Sequence, residues 1–327
     1  MANMGFDTPF VVMFGGANQT NLLSDTWLLT ATLLTATVEF KLRWTRMSDH
    51  INTNTPPPLP TTPPARYYHS MATYTTQGTQ QELRTVMFGG CGDVKCQQLL
   101  SDTWVLSGQQ QTEQFQLINL QWTLLTSSSP FPSSPSPRRS HSMAFLGSGS
   151  VLMFGGACGS GIGQPSTCDD TTQTSEGLIE GLTWKLLSNS SWERVLPSSM
   201  YSETPDLGWP TPRYGSTMAS MSSSDSQDFT VIMLGGSQDS TTWTFGPLKT
   251  PSGKLTSGWV EHSSAATPAK RAMSAMVEIP SSDKLLLFGG SLSNKRGNLL
   301  DDKTWYVTTF LNKALVRHLS VFDTVVD

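Results

Sequence analysis

Val11-Val-Met-Phe-Gly-Gly16 is the stretch that decides the fold, because close copies of it return four times. They are Val86-Met-Phe-Gly-Gly90, Val151-Leu-Met-Phe-Gly-Gly156, Val231-Ile-Met-Leu-Gly-Gly236 and Leu285-Leu-Leu-Phe-Gly-Gly290. Each apolar run is too short for a helix and too apolar to face water, so it reads as a buried strand. The glycines that end it permit positive φ and close backbone approach.

Working outward, each diglycine is followed by a polar turn and a Trp, at Trp27, Trp104, Trp184, Trp243 and Trp305, always preceded by Thr. A further Trp opens a short strand at Trp44, Trp122, Trp192 and Trp259. In the fifth unit only Ala314 to Phe322 is left for that strand. Ahead of the second to fifth diglycines, Pro-rich sequence leads to Arg66, Arg138, Arg213 and Arg271. Five residues past each Arg stands Met71, Met143, Met218 or Met276, and three past it His69, His141, Ser216 or Ser274. Self-similarity at a fixed period marks a repeat architecture. One unit holds four short strands in the order Arg–Met strand, diglycine strand, Thr-Trp strand and final Trp strand, as in a propeller blade.

On these residues the chain resembles the kelch-repeat β-propellers. The resemblance implies an all-β fold, a kelch-type β-propeller of four-stranded antiparallel blades with five repeats. They span roughly residues 8–48, 64–127, 137–197, 211–262 and 269–324 of a single domain, 1–327. Two features depart from the family: Met or Leu stands where kelch blades have Tyr before the diglycine, and the units are longer. Nothing before Phe10 has the form of an Arg–Met strand, so the first blade is expected to be incomplete at the N-terminus. Val316-Arg-His-Leu-Ser-Val-Phe322 imitates an Arg strand. Arg317 lies only twelve residues past Trp305, however, which fits the fifth unit's fourth strand better than closure of the first blade.

Composition agrees with strands rather than helices: 14% of the residues are charged, and there are 27 Gly, 20 Pro and 10 Trp in 327 residues. The net charge of −4 argues against nucleic acid as a partner, since phosphate neutralisation needs clustered Lys and Arg. The longest weakly polar run, Trp27 to Val38, is too short and too rich in Thr to cross a bilayer, so no membrane span is expected in this chain. The N-terminus shows no basic region followed by an apolar stretch, so no signal peptide is expected there.

Alternation of antiparallel strands puts two loop sets on one face, those after each diglycine and those linking the units. All four cysteines lie in the first set, and proximity favours Cys91–Cys96 and Cys158–Cys168 disulfides over the other connectivities. Oxidised pairs lean towards an extracellular or lumenal compartment, with free thiols in the cytoplasm as the alternative. The sequons at Asn18 and Asn189, candidate N-glycosylation sites, agree with the former. A four-Cys zinc site lacks the tight paired spacing, and the His at 69 and 141 are followed by Ser at the equivalent places, so no metal is assigned.

Off the repeat template, Trp209 is a candidate binding anchor in the loop Pro205-Asp-Leu-Gly-Trp-Pro210, with packing over a blade edge as its other reading. Tyr67, Arg139 and Tyr214, each directly after a repeat Arg, are candidates on the same face. One kelch-type relative, galactose oxidase, is a copper enzyme, yet the five scattered His and loop-bound Cys assemble no such constellation. No catalytic residue or cofactor is assigned. The reading is a non-catalytic module that binds a protein partner, or alternatively a glycan. A carbohydrate-active or metal-dependent propeller enzyme of the extracellular space is the competing class.

Overall fold

The computed structural model describes residues 2–4, 10–34, 39–47, 62–75, 82–111, 116–125, 134–158, 171–174, 177–196, 208–222, 229–237, 241–249, 255–262, 270–279, 284–294, 297–300, 304–308 and 319–322. Within these the protein is all-β. Five four-stranded antiparallel sheets and two three-stranded ones make up the fold, with no helix among the described residues.

The first sheet runs Ala2–Met4, Phe10–Ala17, Leu22–Leu34 and Glu39–Arg46, each strand beside the next. Its leading strand corrects the expectation of an incomplete first blade: Ala2, Asn3 and Met4 pair with Val12, Val11 and Phe10. That strand carries none of the repeat's side-chain signature, so backbone pairing alone places it. The second sheet runs Ser70–Thr75, Glu82–Phe88, Thr103–Gln111 and Gln116–Leu125. The third runs Ser142–Gly147, Ser150–Phe154, Thr183–Leu186 and Trp192–Val195, and the fourth Thr217–Ser222, Phe229–Leu234, Thr242–Lys249 and Leu255–His262. The fifth runs Ala275–Glu278, Lys284–Phe288, Thr304–Thr308 and Leu319–Phe322. Its last strand pairs Phe322 with Thr304 and Leu319 with Val307, so the C-terminal segment supplies the fifth unit's fourth strand, as the spacing suggested.

Sequence reading missed two hairpins that follow diglycines. Ala157–Cys158, Thr171–Thr174 and Gly177–Glu180 form one small sheet, and Arg271–Ala272, Ser291–Asn294 and Gly297–Leu300 the other. Their strands are only two to four residues long, too short to show the apolar alternation that marks a half-buried strand.

The spacing of the repeat has a register behind it. Met71 faces Met87, which faces Trp104; Met143, Met153 and Trp184 make the same row, as do Met218, Met233 and Trp243, and Met276, Leu287 and Trp305. Directly opposed side chains are the unit of sheet stabilisation, so the row fixes the pairing of the three leading strands. In the third and fourth sheets the diglycine strands are buried on both faces. Every residue of Ser150–Phe154 is buried, as are Val231–Leu234, and a fully buried Val, Leu or Phe contributes about 1.5–3 kcal/mol.

The chain divides into two compact units, Met1–Pro132 with Ser136–Arg139, and Ser133–Pro135 with Ser140–Asp327. The first unit's core gathers Val12, Phe14, Leu28, Met87, Trp104 and Trp122. In the second unit, Leu152, Phe154, Val231, Met233, Trp243 and Trp259 form one cluster and Ile232, Leu234, Leu285 and Leu287 another. There the leading strand Thr217–Ser222 neighbours both Ser142–Gly147 and Ala275–Glu278, so three leading strands stand side by side.

Candidate functional site

The repeat arginines build the frame on which the loops sit. Arg66, Arg138, Arg213 and Arg271 are all fully buried. Each backbone carbonyl accepts the N–H of the second glycine of the preceding repeat: Gly16 to Arg66 at 2.9 Å, Gly90 to Arg138 at 2.9 Å, Gly156 to Arg213 at 3.0 Å and Gly236 to Arg271 at 2.8 Å. The side chain reaches into its own repeat. Nη1 of Arg66, Arg213 and Arg271 donates to the carbonyl of Gly89, Gly235 and Gly289 at 3.0, 3.2 and 3.0 Å. A Cβ on Gly15 or Gly235 would stand 2.6 Å from the Arg66 or Arg271 carbonyl oxygen, and both residues have positive φ, so only glycine fits there.

In the second sheet Asp102 completes this clasp. Arg66 donates two hydrogen bonds to it, at 2.6 and 2.7 Å, and the Trp104 indole donates a third at 2.6 Å. Burial raises the Asp102 carboxyl, but the Arg66 and Trp104 hydrogen bonds with the Arg66 charge outweigh it and hold the group below the usual carboxylate range. His69, on the same side, is the opposite case. Burial, joined by the Arg66 charge, drives it down to about 3, so it is neutral, and its ring lies edge-on to Phe14 at 5.8 Å.

In three of the repeats the residue after the Arg pairs with the residue after the diglycine of the same repeat. Tyr67 bridges Cys91, Ser237 donates to the Tyr214 carbonyl at 2.9 Å, and Ala272 faces Ser291. Linking loop and diglycine loop are thereby stitched together at one edge of the sheet.

One residue further on, the backbone repeats a costly conformation. Tyr68, Ser140, Gly215 and Met273 have φ of 56, 54, 67 and 60°, all left-handed. Glycine takes that shape freely, whereas Tyr and Met hold it at a cost of order 1–3 kcal/mol. Both are exposed, Tyr68 at 45%. The Tyr67 ring packs 4.6 Å from the Tyr68 ring, the Arg139 guanidinium lies 6.0 Å over Tyr68, and the Tyr67 hydroxyl donates to the Val94 carbonyl at 3.2 Å. Burial first, then Tyr68, raises the Tyr67 hydroxyl; Arg139 lowers it and Asp93 raises it.

The loop beneath is rigid. Cys91 and Cys96 form a disulfide, as the spacing suggested. The Asp93 carboxylate accepts backbone N–H groups of Lys95, at 2.9 Å, and Gln98. Cys158 is also disulfide-bonded, and Cys168 lies outside the described residues.

The structure brings together Tyr67 and Arg139 of the expected site residues and adds Tyr68, which sequence reading passed over. Tyr214 is half-buried at its equivalent place in the fourth sheet. Trp209 is half-buried and packs as the second of its two readings has it: its indole donates to the Gly181 carbonyl at 3.2 Å and its ring lies against the core around Trp243 and Trp259. The sequon residues Asn18 and Asn189 are exposed in turns that their own side-chain oxygens brace, accepting from Thr20 and Asn21 and from Ser191. Among the described residues there is no group of three or more His, Cys, Asp or Glu that could hold a metal ion, and no helix long and apolar enough to cross a membrane.

No protein-family model matches the chain, and no curated protein matches it in sequence. In three dimensions it is similar to a chain in the cryo-EM structure of RAG in complex with one melted RSS and one unmelted RSS. The TM-score is 0.56 at 14% identity, over 96% of this chain and 81% of that one. The likeness is one of fold.

Proposed function

We propose that this chain is a kelch-type β-propeller that works as a non-catalytic protein-binding module, engaging its partner through the loops after each diglycine and the loops that link the sheets. Two features support the propeller: the clasp between each repeat Arg and the preceding diglycine, and the adjacent leading strands of the second unit. The RAG structure is described as a complex, and a role inside a complex is the part of that description carried into this reading.

The observation that carries the binding reading is Tyr68. A bulky aromatic residue held in a left-handed conformation and left 45% exposed costs stability without adding core. Strain of this kind collects at ligand-binding positions, where the surrounding structure over-determines it. Tyrosines also supply large contact area at low ordering cost, and they are enriched among interface hot spots.

A random peptide library panned on the immobilised full chain tests this. Binders should lose at least roughly tenfold in affinity to the Tyr68→Gly variant, a hot-spot-sized loss, while its melting temperature is unchanged or higher because glycine relieves the φ. Failure to enrich any peptide sensitive to Tyr68 would count against this face.

A further inference from the structure

We infer that the Tyr67–Tyr68–Arg139 cluster recognises an acidic peptide in which a carboxylate side chain stands next to an aromatic one; this rests on the protein-binding reading above. The charge arrangement argues for the anion. The Asp93 carboxylate is turned to its own loop by the backbone N–H groups of Lys95 and Gln98, and those of Gln97 and Cys96 also act on it. Two cations belong to this stretch: Lys95 is exposed on the disulfide loop, and Arg139 lies over Tyr68. A positive spot on a protein of net charge −4 is complementary to an acidic segment.

The aromatic half of the ligand follows from the rings. Tyr67 is fixed by its bond to Val94 and by the disulfide loop to which its backbone is bridged, and it holds Tyr68 at 4.6 Å. Tyr68 therefore presents its exposed surface with little ordering left to lose, and Val94, whose carbonyl holds the Tyr67 hydroxyl, is 50% exposed. An aromatic side chain packs on such a surface in offset or edge-on geometry. Guanidinium groups pair with carboxylates through a planar fork that lysine does not reproduce. Single-stranded nucleic acid also stacks on aromatics, but it needs a run of cations along its backbone, and this cluster has two.

The test uses the full chain and fluorescence anisotropy with four labelled probes. Three are twelve-residue peptides with an identical central Trp flanked by Asp and Glu, by Asn and Gln, or by Lys and Arg; the fourth is a thymidine oligonucleotide. The acidic peptide should bind at least roughly tenfold more tightly than the Asn/Gln peptide, with the Lys/Arg peptide weakest. Arg139→Gln should erase the preference for acid, and Arg139→Lys should restore only part of it. Tyr68→Gly should weaken the acidic peptide at unchanged thermal stability.

Equal binding of acidic and neutral peptides, or an acid preference that survives Arg139→Gln, would overturn the inference while leaving protein binding at this face standing. Oligonucleotide binding that depends on Tyr68 would overturn both. If no probe binds, the acidic-peptide inference falls, and the library selection decides the binding reading separately.

Discussion

In the second sheet the buried Arg66 meets a carboxylate, Asp102, whereas in the fourth the equivalent Arg213 bonds neutral oxygens, the Gly235 carbonyl and the Thr211 and Thr241 hydroxyls. The same contrast recurs three residues past each Arg, where the second sheet has a neutral, half-buried His69 and the fourth has the buried Ser216. What the two clasps share is backbone: an Arg carbonyl that takes a glycine N–H, and a guanidinium that returns a bond to a glycine carbonyl. The arginine is thus demanded by the join between repeats, while its side-chain partner is free to vary. Where that partner titrates, the join becomes sensitive to pH.

The largest effect should come from breaking the charged clasp. Asp102→Ala leaves a fully buried guanidinium without its carboxylate and the Trp104 indole without its acceptor, and removing one partner of a buried pair costs about 3–5 kcal/mol. Thr241→Ala removes hydroxyl acceptors from Arg213 and from Trp243 and should cost nearer 1–2 kcal/mol. Urea midpoints of the two variants measure the difference directly. Equal losses would mean that the carboxylate adds nothing a hydroxyl does not.

The next effect is on pH dependence. His69 is held at about 3 in the folded protein and returns to about 6.5 when the chain unfolds. Between these values the unfolded state binds the extra proton, so stability rises with pH across the window and falls on acidification below 6.5. From pH 6.5 to 5 this amounts to about 2 kcal/mol. His69→Ser, which installs the residue the fourth sheet already uses, should flatten the urea midpoint over pH 5–6.5. Asp102 acts lower: its folded value is depressed, so its contribution is present above about pH 4 and lost as the pH falls further, through the folded value. A His69→Ser protein that keeps the full slope at pH 5–6.5 would place the titrating group elsewhere.

These joins also explain which features were legible. The diglycines, the arginines and the Thr-Trp pairs could be read because they recur and because each is tied to local backbone, and four strands per unit followed from their spacing. The leading strand Ala2–Met4 could not be read, since main-chain pairing to Phe10–Val12 leaves no side-chain mark. Tyr68 was overlooked because its register position holds Tyr, Ser, Gly and Met, and only Gly215 hints at a left-handed backbone. Trp209 stayed open between two readings for a related reason: the Gly181 carbonyl that receives its indole is brought beside it only by folding. At the site, then, the sequence indicated the loop face together with Tyr67 and Arg139, but not the strained residue between them.

The smallest predicted effect concerns the part of the join that the two sheets share, and it gives a role to two of the Thr residues that precede a landmark Trp, Thr26 and Thr183. The outer-strand Trp122 of the second sheet donates its indole N–H to Thr26 of the first at 3.0 Å, and Trp259 of the fourth does the same to Thr183 of the third at 2.9 Å. The threonine therefore serves the following sheet, 96 or 76 residues away, rather than its own Trp. Trp122→Phe and Trp259→Phe keep most of the buried ring and remove that bond, so each should cost about 1–2 kcal/mol, the bond plus a small cavity. Trp44 supplies the contrast, because it is 43% exposed at the same place in the first sheet. Trp44→Phe should shift the urea midpoint by no more than about 0.5 kcal/mol, as for a surface substitution. Losses at Trp122 and Trp259 that match each other and exceed the loss at Trp44 would confirm a join independent of the charge chemistry beside it. A large loss at Trp44 would mean instead that the outer Trp stabilises its own sheet, whatever the neighbouring threonine does.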